Sequence, residues 1–370
     1  MQCILQEART MPSNTVRVGI IGCGGIAFAK HLPYLSQIDG VEIAGFYNPT
    51  EEKARKAKEQ YGSKDAKIYH SWQDILEDPS IDVVHVLTPN KFHAEMTIAA
   101  LKSGKHVMCE KPMATNAQDA QKMVEAAKKS GKKFTVAFQN RFKPENMMLK
   151  QLVERGDLGW IYFAKARALR RRGVPTWGSF LNKDMQGGGA LIDIGSHALD
   201  LTLWFMNNYQ VKSVVGTTYN VLSKEENAAN PWGPWDPSKF QVEESAFGFI
   251  TMADGATVVV ESSWALNTVD EGEAQTVLCG SKAGADNICG LRINGEDMGS
   301  LYLNDVETQL HGAAYYEPHV VDPGKLEMES WIEAVREDKE PLVKPEQALV
   351  VTQIIDAIYQ SAATGKPVLF

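Results

Sequence analysis

The chain has 370 residues, 44% of them hydrophobic, and a formal net charge of −8. That length suits about two domains with buried cores. So acidic a chain is a poor match for a phosphate backbone, which argues against nucleic acid as a partner. Its five cysteines, Cys3, Cys23, Cys109, Cys279 and Cys289, include no closely spaced pair. They make neither a disulfide framework nor a zinc site, and a reducing, cytoplasmic compartment is expected. The most apolar stretch, 190–206, is broken by Asp193, His197 and Asp200. A span needs roughly 20 mostly apolar residues, so no membrane partner is expected. Residues 1–14 carry Glu7 and Arg9 without an apolar run. They read as a flexible tail, with Met11 as an alternative start.

From residue 15 to 140, strand and helix patterns alternate. Apolar runs of strand length lie at 16–21, 41–47, 67–69, 82–87, 106–109 and 134–138. Helix-period segments at 26–38, 51–60, 93–103 and 117–130 separate most of them. Several of the strands are almost wholly apolar, as strands covered on both faces are. The alternation predicts a doubly wound parallel sheet of right-handed crossovers, a Rossmann domain over 15–140.

The first strand runs straight into Gly22-Cys23-Gly24-Gly25-Ile26-Ala27, which opens the first helix. In that context the pattern is a dinucleotide-binding fingerprint. Gly22 permits the tight turn, Gly24 lets a pyrophosphate approach, Ala27 allows close helix packing, and the helix N-terminus offers N–H groups to the anion. At the end of the second strand stands Asn48 followed by Pro49, where an acidic residue commonly holds the ribose. An amide can bond a 2′-hydroxyl without repelling a 2′-phosphate, so NAD is the expected cofactor and NADP the alternative. Thr88-Pro89-Asn90 with His93, and Glu110-Lys111-Pro112, follow later strands. Ligands of open α/β sheets bind at those carboxyl ends.

Residues 141–370 have another texture. Strand patterns at 160–169, 211–219, 245–252, 256–264, 274–278 and 300–303 are joined by turns such as Ala253-Asp254-Gly255. They predict an α+β domain with an open, mainly antiparallel sheet. Helices are expected at 191–206, 325–337 and 345–364, the last stopped by Gly365. Val258, Val260 and Phe247 are assigned to an open apolar sheet face, through which a homodimer or homotetramer is expected.

The helix after Gly187-Gly188-Gly189 is apolar almost all round, yet carries Asp193, His197 and Asp200 at helical spacing. Buried polar groups are paired or functional. Asp193, one turn before His197, is placed to orient a basic imidazole; a structural Asp–His pair is the alternative. Two such residues are too few for a metal, and none is expected.

Together the glycine loop, Thr88-Pro89-Asn90 with His93, Glu110-Lys111-Pro112, Asn140-Arg141-Phe142 and the run from Gly187 to Asp200 resemble the glucose–fructose oxidoreductase, inositol dehydrogenase and rhizopine catabolism family, written Gfo/Idh/MocA. The resemblance implies a nicotinamide cofactor and hydride transfer at a hydroxyl-bearing carbon of a sugar or cyclitol. It puts Lys111, Asp193 and His197 on the catalytic Lys, Asp and His. It lays Gly22, Gly24, Gly25, Ile26, Asn48, Thr88, Asn90, His93, Glu110, Lys111 and Asn140 along the cofactor. Lys111, Arg172, Trp177, Asp193 and His197 are expected at the substrate, with Trp232 and Trp235 as further sugar platforms. The segments 171–177 and 230–236 look most like levoglucosan-type sugar dehydrogenases. Two rival readings are an NAD-retaining glycosidase or epimerase that oxidises transiently, and a non-catalytic cofactor-binding regulator.

Overall fold

The computed structural model describes residues 15–307 and 322–370, so the expected tail 1–14 lies outside the described residues. Six parallel strands form the first sheet: β1 (Val16–Ile21), β2 (Val41–Tyr47), β3 (Lys67–Ile68), β4 (Val83–Val86), β5 (His106–Cys109) and β6 (Phe134–Val136). Their order is β3-β2-β1-β4-β5-β6. The order reverses between β1 and β4, and a crevice opens at such a switch point beyond the strands' carboxyl ends. The central strands are buried on both faces because helices cover both sides. Local signals end these helices where they should. Asn116 caps Ala117–Ser130 by accepting from Asp119 N–H, and Gly131 closes it at φ 66°.

The second sheet has nine strands: β7 (Ile161–Leu169), β8 (Val211–Tyr219), β9 (Ser245–Met252), β10 (Thr257–Ser263), β11 (Gly272–Gly280), β12 (Gly284–Asp286), β13 (Leu291–Asp297), β14 (Ser300–Val306) and β15 (Val368–Leu369). Their order is β14-β13-β12-β11-β7-β10-β9-β8-β15, antiparallel except where β10 runs parallel to β7. Helices Ser196–Met206 and Pro345–Thr364 pack on one face, and Gly365 ends the latter at φ 68°. The register corrects the assignment of the open face. Val258 and Val260 are fully buried toward the helices. Because side chains alternate along a strand, Val259 and its cross-strand neighbours Phe249 and Val215 face outward instead, with Phe247 half-buried beside them.

Helix Pro323–Arg336 returns to the first domain. Its Met328, Trp331 and Ile332 join the core built by Val18, Ile20, Leu32 and Phe46. Asp322 starts it by accepting from Gly324 and Lys325 N–H.

Candidate active site

A groove of about 860 Å³ runs along the carboxyl edge of the first sheet and on to the second domain. Gly22, Gly24, Gly25, Ile26, Asn48, Thr88, Asn90, Glu110, Lys111, Trp177 and Asp193 all line it. Gly22 stands at φ +101°, and a Cβ there would meet Leu87 O at 2.6 Å, so the loop can lie against the end of β4 only as glycine. At Gly24 and Gly25 a Cβ would meet nothing within 4 Å. Those two positions face the open groove, and the missing side chains leave room where a pyrophosphate would approach. Asn48 Oδ1 accepts from Cys23 N–H at 3.1 Å and its Nδ2 donates to Thr50 O at 2.9 Å. Its amide thus braces the glycine loop while lining the groove. These residues fit a nicotinamide dinucleotide.

Lys111 and Asp193 meet at the domain junction. Lys111 Nζ donates to Asp193 Oδ1 at 2.8 Å and to the Asp193 carbonyl at 3.0 Å. The second carboxylate oxygen accepts from Trp264 Nε1 at 3.0 Å. Burial works against the Asp193 charge, yet the Lys111 ammonium, aided by Arg170 and the Trp264 N–H, holds the carboxyl below its ordinary value. Asp193 is set in place by the start of its helix. At Gly189 a Cβ would lie 1.9 Å from Glu243 O, so only glycine lets the chain pass. The Glu243 carboxylate then accepts from Gly189 N–H at 2.9 Å, Leu191 N–H at 3.1 Å and Tyr359 O–H at 2.8 Å, satisfying the helix's first donors.

The helix departs from the expected regular turn: Leu191–Gly195 is π-helical, and α-helix resumes at Ser196. The widened turn breaks the stacking of residues four apart. Asp193 therefore gives its oxygens to Lys111 and Trp264 and does not hold His197. His197 packs edge-on against Phe138, with ring centroids 6.0 Å apart, and its Nδ1 is buried without a partner. Burial and the Lys111 charge push its pKa down to about 3, so the imidazole is neutral at physiological pH. Asp200, the third polar residue of this helix, belongs to a buried ion pair: Arg141 donates to it through Nε at 2.9 Å and Nη2 at 2.6 Å.

Four other expected site residues lie away from the groove lining. His93 is fully buried, its ring spanning Thr88 O at 2.8 Å and Pro112 O at 2.7 Å. It ties together two loops that line the groove and is not itself among the lining residues. Asn140 is outside the lining, and its carbonyl accepts from Asn146 Nδ2 at 2.7 Å. Arg172 lines a separate depression with Trp232 and Glu271, and its guanidinium donates to Asn267 Oδ1 at 2.9 Å. Trp235 is core, 3% exposed, with its indole N–H on Ser223 O. Trp177, by contrast, lines the groove and meets Trp232 edge-on at 4.9 Å. Sequence reasoning missed Trp264, although a buried indole needs an acceptor and Asp193 is one. It also missed Lys30 and His31, whose place in an apolar helix was the available signal.

A doubly wound sheet with a glycine loop at its switch point, and a lysine–carboxylate pair at the far end of the same groove, defines a nicotinamide-dependent oxidoreductase. Residues 16–138 match the oxidoreductase family's NAD-binding Rossmann fold, and residues 150–370 its C-terminal alpha/beta domain. The chain belongs to that family, Gfo/Idh/MocA, and is an NAD(P)-dependent oxidoreductase with the family's NAD-binding Rossmann domain. It is 35% identical over 359 residues to the D-glucoside 3-dehydrogenase of Escherichia coli K12, covering 96% of this chain and 97% of that protein. It is 28% identical over 278 residues to the levoglucosan dehydrogenase of Pseudarthrobacter phenanthrenivorans, covering 68% of each. A solved levoglucosan dehydrogenase in complex with NADH and levoglucosan shares the fold, at TM-score 0.80 and 23% identity over 96% of this chain and 98% of that one. Both of these relatives are named as dehydrogenases of sugars.

Proposed function

We propose that the enzyme dehydrogenates a ring hydroxyl of a hexopyranoside, with D-glucosides the first class to test. One observation carries this reading: the Lys111–Asp193 pair stands at the end of the dinucleotide groove, between the two domains. An ammonium has three N–H groups, and Lys111 spends two on Asp193, leaving one for a substrate oxygen. That donor stabilises alkoxide character as the hydroxyl loses its proton. His197, which follows Asp193 on the same helix, is neutral and so able to receive it, although the burial that keeps it neutral also weakens it as a base. Asp193 acts on Lys111, fixing where its ammonium points. Trp177 offers an apolar wall to a sugar ring at the groove. The nicotinamide, when bound, supplies the hydride acceptor for the carbinol carbon. The test is a panel of methyl glucosides, levoglucosan and inositols with NAD and with NADP, followed at the NADH absorbance band. Reduction with none of the sugars would overturn the reading.

We further propose a homodimer or dimer of dimers formed through the outward face carrying Val215, Phe249 and Val259. Phe249→Asp should then lower the mass seen by light scattering, and a wild-type monomer at micromolar concentration would contradict it. Cytoplasmic placement is supported by Cys23, Cys109, Cys279 and Cys289, all free thiols.

A further inference from the structure

Behind Glu110 lies a buried polar cluster drawn from three separate elements. Lys30 and His31 come from the turn Ala27–His31, His85 from β4, and Glu327 and Trp331 from helix Pro323–Arg336. Trp331 Nε1 donates to His85 Nε2 at 3.1 Å. His85 Nδ1 and His31 Nδ1 are 2.9 Å apart, and His31 Nε2 lies 2.9 Å from Glu110 Oε1. Lys30 Nζ bridges Glu110 Oε1 at 2.7 Å and Glu327 Oε2 at 3.0 Å. The other Glu110 oxygen accepts from the Lys111 backbone N–H at 3.1 Å.

The proton positions follow from one fixed donor. An indole nitrogen only donates, so His85 Nε2 must accept and the His85 proton sits on Nδ1. That proton points at His31 Nδ1, which must then accept, placing the His31 proton on Nε2, toward Glu110. A second proton on either ring would set two N–H groups against each other. Both rings are therefore neutral, and the chain Trp331, His85, His31 runs in one direction and ends on the carboxylate. Burial and the Lys30 charge agree, pushing His31 down to about 4 and His85 well below its ordinary value. Burial opposes the Glu110 charge, yet Lys30 and His31 hold that carboxyl well below the usual range. Burial raises Glu327 to about 7, with Lys30 opposing, so Glu110 is the carboxylate that keeps the Lys30 charge.

We infer that Trp331, His85 and His31 are positioning residues for Lys111: they direct a proton chain onto Glu110 Oε1, and Glu110 Oε2 then holds the Lys111 backbone where its ammonium meets Asp193 and the reacting hydroxyl. This rests on Lys111 acting at that hydroxyl, as proposed above. Helix Pro323–Arg336 thereby contributes to a site it does not line. The groups that bear on Glu110 include Lys30 and His31 near the first helix, His85 on β4, Cys109 at the end of β5, His93, Glu327 on the returning helix, and Lys111 and His197 at the site.

The direct test is imidazole nitrogen NMR on the full chain. His85 should appear as the Nδ1–H tautomer and His31 as Nε2–H, both neutral at pH 7. In Trp331→Phe the His85 preference should be lost. A wild-type His85 in the Nε2–H form, or an imidazolium at either ring, overturns the inference. A second test compares His31→Leu, which removes the donor to Glu110, with His31→Gln, whose amide nitrogen can replace Nε2. In the leucine variant kcat should fall by roughly 10- to 100-fold, the scale of a misplaced catalytic group, with NADH affinity unchanged. Its acid limb should move to higher pH, because Glu110 has lost a donor that favours the charged form. The glutamine variant should restore both. Acetic anhydride labelling, read peptide by peptide, should show Lys111 reactivity altered by leucine and restored by glutamine, with no sugar present. Equal losses in the two variants with an unmoved acid limb would reduce His31 to packing and overturn the inference. Restored labelling with no turnover of any glucoside would instead count against the substrate reading.

Discussion

Asp193→Asn separates two readings of the site. The carboxylate serves two donors at once, Lys111 Nζ at 2.8 Å and Trp264 Nε1 at 3.0 Å. An asparagine amide has one oxygen and one NH2 group, so one of those donors must lose its acceptor and face another donor. A hydrogen bond to a charged group contributes about 1.5–3 kcal/mol. The Lys111 and Asp193 side chains are 19% and 14% exposed, which favours the lower half of that range, about 1.5–2 kcal/mol. Converted at about 1.36 kcal/mol per decade, that is a roughly 10- to 30-fold loss in single-turnover hydride transfer. The loss should pass through Lys111. Asp193→Asn combined with Lys111→Ala should be no worse than Lys111→Ala alone, whereas combined with His197→Ala the losses should multiply. Stopped-flow NADH formation on the single and double variants supplies the cycle. Full multiplication with Lys111→Ala, and none with His197→Ala, would show that Asp193 works on the imidazole after all and would refute the argument.

Two further outcomes follow from the geometry. Gly24→Val should abolish NADH binding in a folded protein, since a Cβ there meets no protein atom and enters the groove; titration by tryptophan fluorescence checks this, and unchanged affinity removes the loop from the site. Stability should fall from pH 7 toward about pH 5 because His31 and His197 have folded pKa values of about 4 and about 3, below the unfolded imidazole, so the unfolded chain binds more protons in that window. The loss is up to about 2 kcal/mol per ring at pH 5, partly offset by Glu327, whose raised pKa acts in the opposite sense. A denaturant midpoint that stays level or rises on acidification would contradict it.

The parallel sheet and glycine loop were legible because burial on both faces and the strand–glycine–helix junction leave local marks. Lys111 and Asp193 were legible as motif residues, but their mutual bond was not, since 82 positions separate them. The Asp193–His197 relation was misread because a 3.6-residue period cannot reveal a π turn. Val258 and Val260 went to the wrong face for a related reason. Three consecutive valines carry no alternation, so the register is set by β7 and β9 rather than by local pattern. His93 looked like a ligand because its loop is one, while its ring is consumed in holding Thr88 and Pro112. The His31–Glu110 chain was invisible because Trp331 and Glu327 arrive from the far end of the sequence.

The proposed chemistry depends on Lys111 acting on a sugar hydroxyl at the nicotinamide. It is tested most directly by single-turnover NADH formation from a methyl D-glucoside in wild type and Lys111→Ala, each with its NADH affinity measured. Wild type should form NADH in a sugar-dependent way, the variant should lose roughly two to four orders of magnitude in rate, and NADH binding should be nearly unchanged. A Lys111→Ala enzyme that forms NADH at the wild-type rate would contradict it.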